Sequence, residues 1–338
     1  MTGHTGFKGS WIALWLTHMG ANVHGYSLRP IVKPNLFELA NIAAIIKSSI
    51  FADITNQSAL NEAMNSAHPS VVIHMAAQAL VLQSYKDPVE TMATNVMGTV
   101  NVLEAARSTE SVKAIINVTT DKCYENFRWP WPYRETDQLG GKDPYSASKA
   151  CSELISHAYS HSFFKDSGMN LATARAGNVI GGGDWAEDRL IPDMIRAVEN
   201  RTTIKLRSPH SIRPWQHVLE PLSGYLTLAE NLVLDSAEYN GSWNFGPDVA
   251  EGKTVQWVAE KLANSLPDCR WEEDRGKYFP EASTLKLDSS KAREMLGWHS
   301  KWTTEQAVEK TASWYNSWMQ GLNAQDLCLG QIMEYQDS

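Results

Sequence analysis

Segments with strand character alternate with segments of helical spacing along most of the chain, and this alternation restricts the possible folds more than any other feature. Val71-Val72-Ile73-His74-Met75 is a run of the kind a strand buried on both faces carries. Further strands are expected at 22–26, 49–51, 112–118, 171–176, 203–206 and 243–245. Helices are expected at 11–19, 36–47, 56–67, 88–108, 188–200, 220–232, 255–265, 290–296 and 304–319. Alternation of this kind predicts an α/β fold around a doubly wound parallel sheet. There is no internal repeat, charge block or low-complexity run to suggest a solenoid or a tail.

At 338 residues the chain can bury one large core and a smaller one, and 43% hydrophobic residues with 13 tryptophans mark it as globular. The net charge of −8 argues against non-specific binding to nucleic acid or an anionic membrane, so an anionic ligand must be held by local basic groups. Cys123, Cys151, Cys269 and Cys328 are scattered, with neither metal-ligand spacing nor a disulfide framework, which fits a reducing cytoplasm. No apolar run approaches the ~18 residues of a membrane span, and no secretory leader is evident.

Gly3, Gly6 and Gly9 open the first helix in the pattern G-x-x-G-x-x-G. A tight turn, close backbone approach and free N–H groups at a helix N-terminus suit a dinucleotide pyrophosphate. That pattern normally follows a strand, here the central one of a Rossmann-type sheet, and the chain begins at Met1-Thr2. The first strand is therefore expected to be missing, which would expose the apolar edges of its neighbours, and the start is expected to be internal to the natural reading frame. After the second strand Tyr26-Ser27-Leu28 stands where an acidic residue often meets the NAD ribose. Arg29 follows, so this loop leaves NADP open.

Tyr145 and Lys149 stand one helical turn apart after Asp143-Pro144. A phenol near ~10 is a poor base at neutral pH, and an ammonium one turn away favours the phenolate, so the pair suits proton removal from a hydroxyl. Thr119, Thr120, Asp121 and Lys122 leave the carboxyl end of a strand, where a parallel sheet places its ligand crevice. The loop Trp129-Pro130-Trp131-Pro132-Tyr133 is either a substrate wall or an ordered surface loop. Gly181-Gly182-Gly183 either lets backbone approach a ligand or forms a mobile connection. Arg213 beside Trp215 suits phosphate and base recognition. His74 reads as a satisfied strand-end histidine rather than a ligand.

Together T-G-H-T-G-F-K-G, H-M-A-A-Q, T-N-V-M-G-T, T-T-D-K-C-Y, D-P-Y-S-A-S-K, R-A-G-N-V-I-G-G-G-D-W and R-P-W-Q-H-V-L-E-P-L-S-G-Y resemble the extended short-chain dehydrogenase/reductase family over essentially the whole chain. The resemblance implies a Rossmann domain over 1–176, with segments of about 210–250 returning to it, and a smaller, mainly nucleotide-sugar-binding domain over 177–338. It implies NAD on Gly3, Thr5, Gly6, Phe7 and Gly9, with Asp53 and Ile54 near the adenine. Ala76, Ala77 and Gln78 would line the ribose side, and Asn95 would help order the site. Tyr145 would take the proton of a sugar 4-hydroxyl, Lys149 would assist it and hold the nicotinamide ribose, and Thr120 would bind the 4-oxygen. Asp121 would protonate a leaving C6 hydroxyl. Asn178, Arg189 and Arg213 would grip the sugar diphosphate. Relatives that dehydrate dTDP-glucose carry Asp-Glu where this chain has Asp121-Lys122, so Lys122 is expected either as base at C5 or as an electrostatic stabiliser of the enolate. The expected substrate is CDP-glucose, the expected reaction is loss of water as a step toward dideoxyhexoses of bacterial O-antigen, and the expected assembly is a homodimer or dimer of dimers. Epimerisation, dehydration of another nucleotide hexose and a non-catalytic truncated relic acting through subunit association are the alternatives.

Overall fold

The computed structural model describes residues 1–234, 236–248, 251–266, 269–274, 276 and 284–338. Six strands build the central sheet: β1 (His24–Ser27), β2 (Ser48–Phe51), β3 (Val71–His74), β4 (Ala114–Val118), β5 (Asn170–Ala176) and β6 (Gly241–Phe245). β2 pairs with β1, and β3, β4, β5 and β6 pair in that order, all parallel. Residues 1–3 join the two sets. The N–H of Thr2 donates to the Ile73 carbonyl at 3.0 Å, that of Gly3 to Tyr26 at 2.9 Å, and that of Tyr26 to Met1 at 3.0 Å. Thr2 thereby bridges Tyr26 and His74, at the carboxyl ends of β1 and β3. Toward the amino ends of these strands Leu60, Met64, Val71 and Val72 line a crevice. The Met1 ammonium donates to the His24 carbonyl at 2.6 Å, and burial lowers its pKa to about 6.

Side chains alternate across the sheet, as the pleat requires. Val72 and Ile115 share one core with Leu60 and Met64 of α2 (Gln57–Ala67) and Val102 and Leu103 of α3 (Gly98–Arg107). Ile73, Ile116 and Trp243 share the other with Trp11 of α1 (Phe7–His18), and α4 (Pro144–Tyr159), α5 (Leu190–Glu199) and α6 (Leu219–Leu234) follow in chain order. Helices on both faces make this a doubly wound α/β fold. Beyond the sheet, 179–180 pairs with 216–217, 203–206 with 270–273, and 212–213 with 253–254.

Several elements depart from expectation for local reasons. The helix expected over 36–47 is two short turns, Leu36–Leu39 and Ile42–Ile45, separated where Asn41 takes a left-handed φ of 48°. The helix expected over 88–108 contains a wide π turn at Ala93–Met97, whose Asn95 side chain serves the site. Gly181-Gly182-Gly183 is close-packed at Gly182 rather than a loose connection. A Cβ on Gly182 would fall 2.0 Å from the Trp314 ring, and its carbonyl accepts from the Trp11 indole at 2.9 Å. The polar tail after Gly321 forms the helix Ala324–Asp337, with Cys328, Ile332 and Tyr335 buried.

Candidate active site

The glycine loop begins the site because its geometry excludes side chains. Gly3 holds φ at +75°, and a Cβ there would meet Ala76 N at 2.7 Å; a Cβ on Gly9 would meet the Gly3 carbonyl at 1.9 Å. α1 begins at Gly6 without a side-chain cap, so the loop presents first-turn N–H groups and the positive helix end. Around it, the Thr5 hydroxyl bonds Ser27 Oγ at 2.8 Å and donates to the Leu28 carbonyl at 2.9 Å. Asn95 accepts from the Gln78 N–H and donates to the Gln78 carbonyl, each at 2.9 Å, and also donates to Ser148 Oγ of α4. Asp53 accepts the Tyr26 hydroxyl on its carbonyl, and Ile54 packs over Gly98. Arg29 stacks on Phe51, 4.2 Å from the ring centre. Ala76 and Ala77 follow β3 directly, where the Thr2 hydroxyl holds the Ala76 N–H at 3.1 Å.

α4 is fixed at its start by Pro144 and by Asp143, which accepts from the Ser146 N–H at 2.9 Å and its hydroxyl at 2.6 Å. That cap sets Tyr145 and Lys149 on one buried face. Burial pushes the Tyr145 phenol up to about 12, while the neighbouring Thr120 hydroxyl and the Arg189 charge pull it down. The expected lowering by Lys149 is not what this geometry displays. The Lys149 amine donates to the Val118 carbonyl at 3.1 Å, and burial lowers its own pKa to about 8.

Past β4, Thr120 and the short turn Asp121–Cys123 bring the next candidates to Tyr145. The Thr120 hydroxyl donates to Asp121 Oδ1 at 3.2 Å. Burial raises the Asp121 carboxyl to about 6, against the charges of Lys122, Arg213 and Lys8. Among the described residues, the buried Asp121 Oδ2 has no hydrogen-bond partner. Arg189 is paired with Asp184 at 2.9 Å, and Arg213 is buried with Nη1 donating to the Ile212 carbonyl. The Asn178 carbonyl accepts from the Gln216 N–H at 3.0 Å. Thr120, Asp121, Lys122, Tyr145, Lys149, Arg189 and Arg213 thus form one electrostatic group, while Asp53 and Ile54 sit apart, beyond β2.

His74 is buried and bonded through Nδ1 to Thr2 Oγ1 at 2.7 Å, a satisfied strand-end histidine. In the aromatic loop Trp129 stacks on Tyr133 at 5.5 Å between ring centres, and Tyr133 stacks on Tyr124 at 5.3 Å. Glu153, one turn past Lys149, was not legible as part of the site, and Lys8 and Tyr225 were visible only as members of the motifs T-G-H-T-G-F-K-G and R-P-W-Q-H-V-L-E-P-L-S-G-Y, without a role.

A doubly wound sheet with a glycine loop at its switch point and a buried Tyr-Lys pair defines the extended short-chain dehydrogenase/reductase class. The family description "GDP-mannose 4,6 dehydratase" matches residues 1–311, and the chain belongs to that family. The chain is 47% identical over 327 residues to a CDP-glucose 4,6-dehydratase of Salmonella typhimurium, covering 95% of this chain and 91% of that protein. It is 26% identical to a dTDP-glucose 4,6-dehydratase of Xanthomonas campestris, over 80% of each chain. In fold it resembles a Thermus thermophilus UDP-glucose 4-epimerase in complex with NAD, with a TM-score of 0.79, 24% identity and coverage of 93% and 97%.

Proposed function

We propose that this chain is an NAD-dependent hydro-lyase that converts CDP-glucose to CDP-4-dehydro-6-deoxyglucose and water. Asp121 carries this reading. A buried carboxyl held at about 6, with one oxygen unpartnered and Thr120 on the other, is a proton donor placed beside the Tyr145 phenol. Dehydration needs such an acid and epimerisation at C4 does not. The 47% identity to a CDP-glucose 4,6-dehydratase supports the same choice of reaction and base.

The glycine cradle fits a dinucleotide, since a Cβ at Gly3 or Gly9 would fill the approach. Gly3, Thr5, Gly6, Phe7 and Gly9 would hold its diphosphate, Asp53 and Ile54 its adenine side, and Ala76, Ala77 and Gln78 its ribose side, with Asn95 ordering Gln78 and Ser148 around them. NAD, when bound, supplies the acceptor for hydride from C4 and its donor to C6. As phenolate, the form that Thr120 and the Arg189 charge favour against burial, Tyr145 would take the proton of the 4-hydroxyl, and Thr120 would hold the resulting 4-oxygen. Lys149 would hold the nicotinamide ribose with its cation. The new ketone acidifies the C5 hydrogen, and Asp121 then protonates the C6 hydroxyl so that it leaves as water. Lys122, beside Asp121, places positive charge where the enolate develops. Asn178, Arg189 and Arg213 hold the sugar diphosphate. The division at 176, with a nucleotide-sugar-binding part beyond it, belongs to the same reading.

Exposed Val89, Met97, Leu154 and Phe163 on neighbouring helices support a homodimer or dimer of dimers. Four free cysteines support a reducing cytoplasm. Incubation with CDP-glucose and NMR of the product tests the reaction. A 4-keto-6-deoxy sugar is expected, and a C4 epimer would overturn dehydration.

A further inference from the structure

The reaction needs a base at C5, and the requirement for an amine in that role is physical: little water around it and other cations beside it. Lys8 meets the second condition and part of the first. It sits on the first turn of α1, half-buried, with Nζ 5.9 Å from the centre of the Tyr225 ring. Tyr225 lies within electrostatic reach of Tyr145. Arg189 and Lys149 repel the Lys8 charge and Asp121 attracts it, which places the amine among the groups that would handle the sugar. Burial, followed by those two cations, brings its pKa down to about 8. Lys149 is committed to the Val118 carbonyl, and Lys122 shares its turn with Asp121.

We infer that Lys8 is the base that removes the C5 proton of the oxidised sugar, working with Asp121 as the acid for the C6 hydroxyl. This rests on the dehydratase reading above. The free Lys8 amine takes the C5 proton, and the C5–H electron pair forms the C4–C5 enolate. The enolate electrons then form C5=C6 as the C6–O bond breaks, and Asp121 delivers a proton to the departing oxygen, giving water. When hydride reaches C6, the Lys8 ammonium returns its proton to C5, so the amine is regenerated.

The test uses the whole chain, with Lys8→Met and Lys8→Arg, each checked by far-UV circular dichroism. The product ketone is incubated in deuterium oxide with each protein, and exchange at C5 is followed by NMR. Both variants are expected to lose exchange by on the order of 100-fold or more, because neither side chain accepts a proton. Both are expected to retain the absorbance of reduced cofactor on mixing with CDP-glucose. Exchange at the wild-type rate in Lys8→Met overturns the inference, as does exchange lost in Lys122→Met while Lys8→Met keeps it. Exchange retained in Lys8→Arg makes the residue a cation rather than a base and overturns it too. Loss of the reduced-cofactor signal in both variants places Lys8 before the C5 step, which is also contrary. A wild-type protein that forms no dehydration product fails differently, because it overturns the dehydratase reading itself.

Discussion

Glu153 and Arg175 form an ion pair 2.7 Å long, one helical turn beyond Lys149 and almost wholly out of water. The pair is stable there because its remaining polar atoms are largely satisfied. Glu153 also accepts from Thr119 and Thr173, and Arg175 donates to Tyr124 and Ser242. The Glu153 charge favours the protonated form of Lys149. Removing one partner leaves the other buried alone, so Arg175→Met is expected to cost about 3–5 kcal/mol in urea unfolding. Glu153→Leu with Arg175→Met is expected to recover part of that loss; equal loss in the single and double variants would contradict the pairing.

Lys149 itself is held against its own stability. Its folded pKa of about 8 lies below the 10.5 of a free lysine, so the folded state binds fewer protons between those values. The destabilisation is full below about 8 and disappears as pH rises past the unfolded value. Lys149→Met is therefore expected to raise stability at neutral pH by roughly 1–2 kcal/mol, after loss of the bond to Val118, while abolishing turnover. The gain should shrink toward pH 10, and a constant or growing gain would contradict the assignment.

Asp121 and Lys8 together predict the pH profile. The acid must carry its proton and the base must lack one, with values of about 6 and about 8. Only a minor fraction of the protein has both at once, and that fraction is largest between the two values. A bell with limbs near those values is expected for the rate of water loss once the sugar is oxidised. Asp121→Asn is expected to slow water loss by about 100- to 10,000-fold while reduced cofactor still forms. If Asp121→Asn lost both steps equally, the carboxyl would have a role in oxidation rather than elimination.

The glycines separate cofactor binding from packing. Gly9→Ala places a Cβ on the Gly3 carbonyl and is expected to abolish NAD binding measured by calorimetry. Gly182→Ala drives a Cβ into Trp314 and is expected to lower thermal stability instead. A Gly182→Ala protein with native stability and lost NAD binding would return those glycines to the cofactor site.

The sheet was legible because its strands are short apolar runs between amphipathic helices, and 203–206 and the helices at 255–265, 290–296 and 304–319 stand as the pattern indicates. Tyr145, Lys149, Thr120 and Asp121 were legible because helix spacing and a strand's carboxyl end fix where side chains go. The break at Asn41 was not, since a left-handed residue inside an apolar run leaves the helical pattern intact. Nor was the packing role of Gly182, whose partner Trp314 lies far along the chain. The tail helix escaped because its buried Cys328, Ile332 and Tyr335 are sparse among polar residues. Charges resisted reading most of all. Burial, which a sequence does not state, moves Tyr145 up and Lys8 and Lys149 down.

The central claim is that one site oxidises C4, expels the C6 hydroxyl and reduces C6 with the same hydride. CDP-glucose carrying deuterium at C4 tests it directly. Turnover is predicted to deliver the label to the C6 methyl group of a 4-keto product. A product with deuterium still at C4, inverted or not, would contradict the account.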